Sequence, residues 1–207
     1  MAALAAVGAL AASRRQPALR TAGAGLLAVG VWAAWFFRDP VRRCPAHPDT
    51  LYAAADGVVL LVDEVDEDWH IQGRALRIAT FLSAFDVHVN RCPAAARLVA
   101  SRRDPGSFAP AFLRHGAEGN ARQLLALEVD GRPPQTRRLV VAQIVGFMAR
   151  RIVSWRLPGD RLAAGQKVGM IRFGSRTDVL APAGAVRPLV RPGDRVLAGL
   201  TPIARYS

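Results

Sequence analysis

The sequence predicts a mainly β chain with a hydrophobic helical segment at its N-terminus. Three observations carry that reading. Short β-rich runs punctuated by glycine and proline fill the chain from Arg38 onward, an internal repeat is built on Pro-Gly-Asp turns, and the first 38 residues contain no acid and are strongly apolar. At 207 residues and 51% hydrophobic composition, the chain can bury a core and is too apolar to be a disordered polymer.

The apolar stretch comes first. Runs 1–12 and 22–37 are separated by Arg14, Arg15 and Arg20. The second run has 16 residues, short of the ~20 that a perpendicular membrane span requires. It closes on Trp32, Trp35, Phe36 and Phe37, aromatic side chains of the kind that collect at a membrane–water boundary. Arg20 lies before it and Arg38, Arg42 and Arg43 after, so basic residues flank it evenly. Residues 1–37 are therefore expected to form a short in-plane or re-entrant membrane anchor. A secretory signal peptide and a buried core helix compete with that reading. The run enters bulky aromatics with no small-x-small cleavage site, which counts against the signal peptide.

The body, 38–207, reads as strands at 58–62, 76–82, 124–129 and 139–144, while 144–153 fits a helix or a strand. The acidic cluster 63–68 is expected as a solvated turn, and 102–109 and 131–135 as surface loops. Residues 158–165, Pro-Gly-Asp-Arg-Leu-Ala-Ala-Gly, recur at 192–199 as Pro-Gly-Asp-Arg-Val-Leu-Ala-Gly. Each copy makes a tight turn, two apolar positions and a closing glycine. With Asp56-Gly57-Val58-Val59 upstream, this is the strand–turn pattern of barrel-sandwich folds, which include lipoyl and biotinyl carriers. Those carriers display a lysine on a hairpin tip. Lys167 follows the first copy without the carriers' surrounding motif, so the repeat predicts architecture and not a carrier function.

Composition excludes several classes. Cys44 and Cys92 cannot make a disulfide framework and are not closely paired, so no structural metal is expected. The net charge is +12, but Lys167 is the only lysine among 28 basic residues and the arginines are scattered. That pattern points to an anionic lipid surface, and no nucleic-acid partner is expected.

Three places combine uncommon residues with turn geometry. In 81–91, a strand would put Asp86, His88 and Asn90 on one face, making His88 a general acid–base candidate beside the reading of a structural histidine. His47, His70 and His115 have no such setting. In 169–178, Gly174-Ser175 is either a plain turn or a reactive bond. A strained turn can bring the Ser175 hydroxyl onto the unshielded Gly174 carbonyl, exchange amide for ester, and by elimination leave a dehydroalanine that hydrolyses to a pyruvoyl group. Asp56-Gly57 is a turn whose carboxylate could also orient a histidine.

Five elements occur in order: Phe36-Phe-Arg-Asp-Pro40, Ala55-Asp-Gly57, Phe85-Asp-Val-His-Val-Asn-Arg91, Gln143-Ile-Val-Gly146 with Ala149-Arg-Arg-Ile152, and Phe173-Gly-Ser-Arg-Thr-Asp178. From about Phe36 to Pro182 the chain resembles the short bacterial and archaeal phosphatidylserine decarboxylase proenzymes. The resemblance implies self-cleavage of Gly174–Ser175 into a β chain, 1–174, and an α chain, 175–207, that remain together as a heterodimer. It implies that Ser175 becomes a pyruvoyl cofactor, which forms a Schiff base with phosphatidylserine in the bilayer and releases CO2 to give phosphatidylethanolamine. His88 matches the family's Asp-x-His position and is assigned to maturation and to proton donation. Asp56 matches its Asp-Gly aspartate and is assigned to orientation or charge support. Two departures stand out. Arg91 occupies the place of a second histidine found in long-form relatives, and Gly119-Asn120-Ala121-Arg122 has alanine where the family's Asn-Glu-Arg has glutamate. The implied location is the cell membrane, peripheral or monotopic, with the catalytic part on the cytoplasmic side. Two other classes stand beside this one: a membrane-anchored serine hydrolase with Ser175, His88 and Asp56 as its triad, and a non-catalytic barrel-sandwich adaptor.

Overall fold

The computed structural model describes residues 17–113, 117–147, 151–171 and 174–207. The apolar run 1–12, Arg14, Arg15, His115, residues 149 and 150 of the fourth motif, and Phe173 lie outside the described residues. The chain divides into two compact units, Met1–Asp39 and Pro40–Ser207.

In the first unit, helix α1 (Pro17–Phe36) spans 20 residues. Pro17 opens it, at a position where the missing N–H has no helical partner to lose. Its last turn is an aromatic cluster, with Phe36 packed on Trp32 and Phe37 and the Arg38 guanidinium 3.8 Å over the Trp35 ring. Leu26, Val29 and Val31 are exposed. Alanine and glycine dilute the helix's hydropathy, and no helix among the described residues is long and apolar enough to cross a membrane.

Among the described residues, the regular structure of the second unit is all β. In chain order its strands are β1 (Thr50–Tyr52), β2 (Gly57–Glu67), β3 (Gly73–Leu82), β4 (Val89–Arg91), β5 (Ala96–Asp104), β6 (Arg122–Val129) and β7 (Arg138–Ile144). They continue with β8 (Ile152–Ser154), β9 (Arg161–Leu162), β10 (Lys167–Ile171), β11 (Ser175–Pro182), β12 (Val186–Pro188), β13 (Arg195–Val196) and β14 (Pro202–Tyr206). An eight-stranded sheet has the order β13-β2-β3-β11-β7-β6-β5-β9 and curls into a half-barrel. Two small sheets, β1-β14-β12 and β4-β10-β8, complete the fold. Every strand pair is antiparallel.

Period-two alternation gives the large sheet two buried faces. Leu125, Leu127, Leu139, Val141 and Val179 enter the main core, while Leu124, Val140, Ala142 and Leu180 enter a second cluster on the other side. Burial on both faces is why these strands read as nearly continuous apolar runs.

The repeat explains the sheet's edges. Its two copies supply β9 and β13, the two edge strands. The Gly159 N–H donates to the Leu98 carbonyl and the Leu98 N–H to the Asp160 carbonyl; Gly193, Val59 and Asp194 repeat that pattern. Asp160 and Asp194 each accept the backbone N–H three residues before them. The closing glycines, Gly165 and Gly199, are left-handed and lie so close that a Cβ on Gly199 would be 3.2 Å from the Gly165 Cα.

Two loop expectations are corrected. The acidic cluster is not a solvated turn: β2 runs through it to Glu67, because its acids from Asp63 to Glu67 find partners on the next strand or the next turn. Asp63 takes a two-point ion pair from Arg77 across the sheet, and Glu67 accepts the N–H groups of His70 and Ile71. Likewise β5 extends to Asp104, where pairing with β6 overrides the polar composition of 102–104.

Candidate active site

Gly174 and Ser175 stand at the entrance to β11, which lies between β3 and β7 near the middle of the large sheet. Gly174 is left-handed, with φ +55°, a conformation that glycine adopts without steric cost. Ser175 pairs with Leu82 and is fully buried. Its hydroxyl oxygen has no hydrogen-bond partner among the described residues. A buried hydroxyl left without a partner costs free energy and is uncommon in folded proteins.

His88 is also fully buried, but its setting differs from the expected one. Residues 81–91 are not one strand: β3 ends at Leu82, a turn follows, and β4 starts only at Val89. Asp86 therefore does not share a strand face with His88. Its carboxylate accepts the N–H and hydroxyl of Ser83 and binds the Arg195 guanidinium at 2.7 Å, pinning the turn to the second repeat copy. The turn delivers His88 with Nδ1 2.9 Å from the Asp86 carbonyl oxygen. A carbonyl only accepts, so Nδ1 carries hydrogen. The His88 carbonyl in turn accepts the N–H of Ile171, at the end of the strand that leads towards Gly174.

Behind Ser175 runs a buried polar ladder. Gln143 donates from Nε2 to Asn90 Oδ1 at 2.7 Å, and Asn90 donates from Nδ2 to Thr177 Oγ1 at 3.0 Å. The ladder ties β7, β4 and β11 together two residues from the candidate bond. On the opposite sheet face, Arg176 and Asp178 form a two-point ion pair with both contacts at 2.7 Å.

Asp56 is not joined to His88. Both its carboxylate oxygens are held by Arg42, at 2.5 and 2.7 Å, and one also accepts the Ala198 N–H at 2.8 Å. The triad expected for a serine hydrolase is therefore not assembled. Arg91 points to the scaffold: its guanidinium donates to the carbonyls of Gly165 and Pro40, both at 3.0 Å. Asn120, despite its altered motif, uses its whole amide. Nδ2 donates to Ala109 and Val145, and Oδ1 accepts from the Ser107 hydroxyl and the Ala109 N–H.

Sequence reasoning named Arg42 as a flanking arginine and Gln143 and Thr177 within motifs, but gave none of them a role in the site. Arg42 carried no local signal, because its partner is 14 residues away and across a turn. Among the described residues no group of His, Cys, Asp and Glu could hold a metal ion. A cleft of about 520 Å³ beside Val145 is lined by Arg103, Arg122, Arg151, Phe108 and Ile152, among others, and burial pulls the Arg122 guanidinium below its ordinary value.

Comparison with known proteins identifies the family. The family model described as phosphatidylserine decarboxylase matches residues 29–204. A phosphatidylserine decarboxylase proenzyme of Symbiobacterium thermophilum is 46% identical over 183 residues, covering 88% of this chain and 83% of the relative. One of Carboxydothermus hydrogenoformans is 44% identical over 84% of this chain and 80% of its own, and one of Ruegeria pomeroyi 41% over 87% and 82%. With a match over most of its length and relatives well above chance similarity, the chain belongs to the phosphatidylserine decarboxylase family.

Proposed function

We propose that this protein decarboxylates phosphatidylserine to phosphatidylethanolamine, and that it is made as a proenzyme that cuts itself between Gly174 and Ser175. The observation that carries the reading is the buried Ser175 hydroxyl, without a hydrogen-bond partner among the described residues, behind a left-handed glycine.

Maturation follows from that arrangement. The Ser175 oxygen bonds to the Gly174 carbonyl carbon, the C–N bond breaks, and the amine takes up the proton the hydroxyl gave up, leaving an ester. Removal of the Ser175 α-proton then breaks the Cβ–O bond, which releases a Gly174 carboxylate and leaves dehydroalanine on the new α chain. Water converts it to the pyruvoyl group with loss of ammonia. The site fits that group, since Ser175 is buried and its hydroxyl makes no hydrogen bond among the described residues. When formed, the group supplies a ketone that takes up the substrate amine and an electron sink for the charge left as CO2 departs.

His88 serves both phases. With Nδ1–H held by the Asp86 carbonyl, Nε2 is the nitrogen that exchanges a proton with the reacting atoms. Asp56 acts as charge support, fixing Arg42 and the Ala198 segment. Arg103, Arg122 and Arg151 give the neighbouring cleft the positive charge a phosphodiester requires.

The substrate lies in a bilayer, and two features suit that location. Phe85, Phe112 and Phe147 are 68%, 57% and 70% exposed on loops around the site. The N-terminal helix, with its aromatic end, is a peripheral or monotopic anchor at the cytoplasmic face of the cell membrane. The β fold, with a copy of the repeated turn-and-strand unit at each edge of its large sheet, is of barrel-sandwich type. The mature enzyme is a heterodimer of its own two chains.

A denaturing gel of purified wild type, Ser175→Ala and His88→Ala tests the reading. The wild type is expected as 1–174 and 175–207, with both variants whole. Borohydride in the presence of phosphatidylserine vesicles should fix a lipid adduct on the small chain. Division of the Ser175→Ala chain at the same place would overturn the scheme.

A further inference from the structure

The motif Gln143-Ile-Val-Gly146 contributes Gln143 to the polar ladder and ends on a glycine with a separate steric setting. Gly146 is buried just beyond β7. A Cβ placed on it would lie 1.9 Å from the Gly174 carbonyl oxygen, 3.1 Å from the Gly174 carbonyl carbon and 3.1 Å from the Ala111 Cβ. A contact of 1.9 Å is far inside van der Waals separation. The oxygen of the candidate bond thus occupies the room that any side chain at 146 would take.

The two glycines serve different physical needs. Gly174 has open space where its Cβ would be, and its φ of +55° is what favours glycine there. Gly146 is not left-handed, so its backbone conformation does not by itself demand glycine, and it is chiefly the approach of Gly174 that excludes a side chain.

We propose that Gly146 is a positioning residue for self-cleavage, the floor that seats the Gly174 carbonyl so that its carbon faces the Ser175 hydroxyl. This rests on the reading that Gly174–Ser175 is the bond cut. During the acyl shift the Ser175 Oγ–C bond forms and the carbonyl electrons move onto the Gly174 oxygen. They return as the C–N bond breaks, and the hydroxyl proton ends on the amine. The oxygen must stay seated while its carbon becomes tetrahedral. A methyl group at 146 pushes it out by more than an ångström and turns the peptide plane with it, a displacement that costs a positioned reaction about 100-fold or more.

The test compares full-length wild type, Gly146→Ala, Gly146→Ala/Ala111→Gly and Ser175→Ala by intact mass over time, by thermal melting, and after hydroxylamine, which cuts an ester but not an amide. Gly146→Ala is expected to melt cooperatively within a few degrees of Ser175→Ala, to divide at least about 100-fold more slowly than wild type, and to resist hydroxylamine. The double variant relieves only the Ala111 contact and should stay whole. Cleavage of Gly146→Ala at the wild-type rate would overturn the proposal. So would a whole chain that hydroxylamine divides, since the shift would then have occurred, or loss of the cooperative melt, which would assign the glycine to the fold. A wild type that never divides would instead refute the self-cleavage reading itself.

Discussion

Arg42 and Asp56 form a two-point ion pair at 2.5 and 2.7 Å, with side chains only 9% and 5% exposed. The same pair grips Ala198 from both sides: Asp56 accepts its N–H, and Arg42 donates to its carbonyl at 3.0 Å. Cleavage after Gly174 would put Arg42 and Asp56 in one product and Ala198 in the other. The ion pair then becomes a clasp between the two chains.

Arg42→Ala should therefore be costly, because it strands a buried carboxylate. The expected loss is about 3–5 kcal/mol, or roughly 10 °C in melting temperature for a domain of this size. The small chain should also wash away more readily on gel filtration of processed protein. Arg42→Lys keeps the charge but not the fork, so only part of the loss should be recovered. A melt unchanged by Arg42→Ala would contradict the clasp.

Asn120 provides a second test. Its amide makes four hydrogen bonds while only 1% exposed, and one of them holds the Val145 carbonyl, beside Gly146. Asn120→Ala takes this partner from the Val145 carbonyl and from both backbone groups of Ala109, and about 2–3 kcal/mol of stability should disappear. Self-cleavage should slow as the platform loosens. Asn120→Asp retains the acceptor but faces an oxygen towards the Ala109 and Val145 carbonyls, so it should rescue neither property. Urea unfolding and the cleavage rate check both; rescue by aspartate would mean the donor side is dispensable.

Alkaline pH should weaken the fold through two buried acids. Burial pushes the Tyr206 phenol up to about 12 and the Cys92 thiol up to about 12, from ordinary values of 10.0 and 9.0. Below those ordinary values both states hold their protons and the stability is fully present. As pH rises from about 9 for Cys92, and about 10 for Tyr206, the unfolded chain ionises first, and stability falls until about 12. Each group contributes a slope of at most ~1.4 kcal/mol per pH unit. The Tyr206 hydroxyl has no partner among the described residues, so Tyr206→Phe should cost little at neutral pH and flatten the decline between about pH 10 and 12. Denaturant midpoints across that range, identical for wild type and Tyr206→Phe, would assign the decline elsewhere.

The architecture was legible where the pattern was local. Runs such as 124–129 and 139–144 became β6 and β7 because their apolar residues suffice to bury both faces of a strand. The Pro-Gly-Asp repeat also reads directly, since turn chemistry depends on the residues within the turn. The reading failed where polar residues find distant partners. The cluster 63–68 looked solvated until Arg77 across the sheet is seen to pair with Asp63, and the 81–91 segment looked like one strand until the Asp86–Arg195 bond bends it.

The site divides in the same way. By itself the sequence singled out Gly174-Ser175 and His88 as candidates, because a Gly-Ser bond and an Asp-x-His run are short local patterns that can be read without the fold. Tertiary structure alone decided what surrounds them. Asp56 turns to Arg42 instead of His88, Arg91 reaches two backbone carbonyls, and the Gly174 oxygen rests where a side chain of residue 146 would be. Those relationships join positions 14 to 74 residues apart. Hydrogen bonds and steric contacts act over a few ångströms in space, and only folding brings such positions within that range.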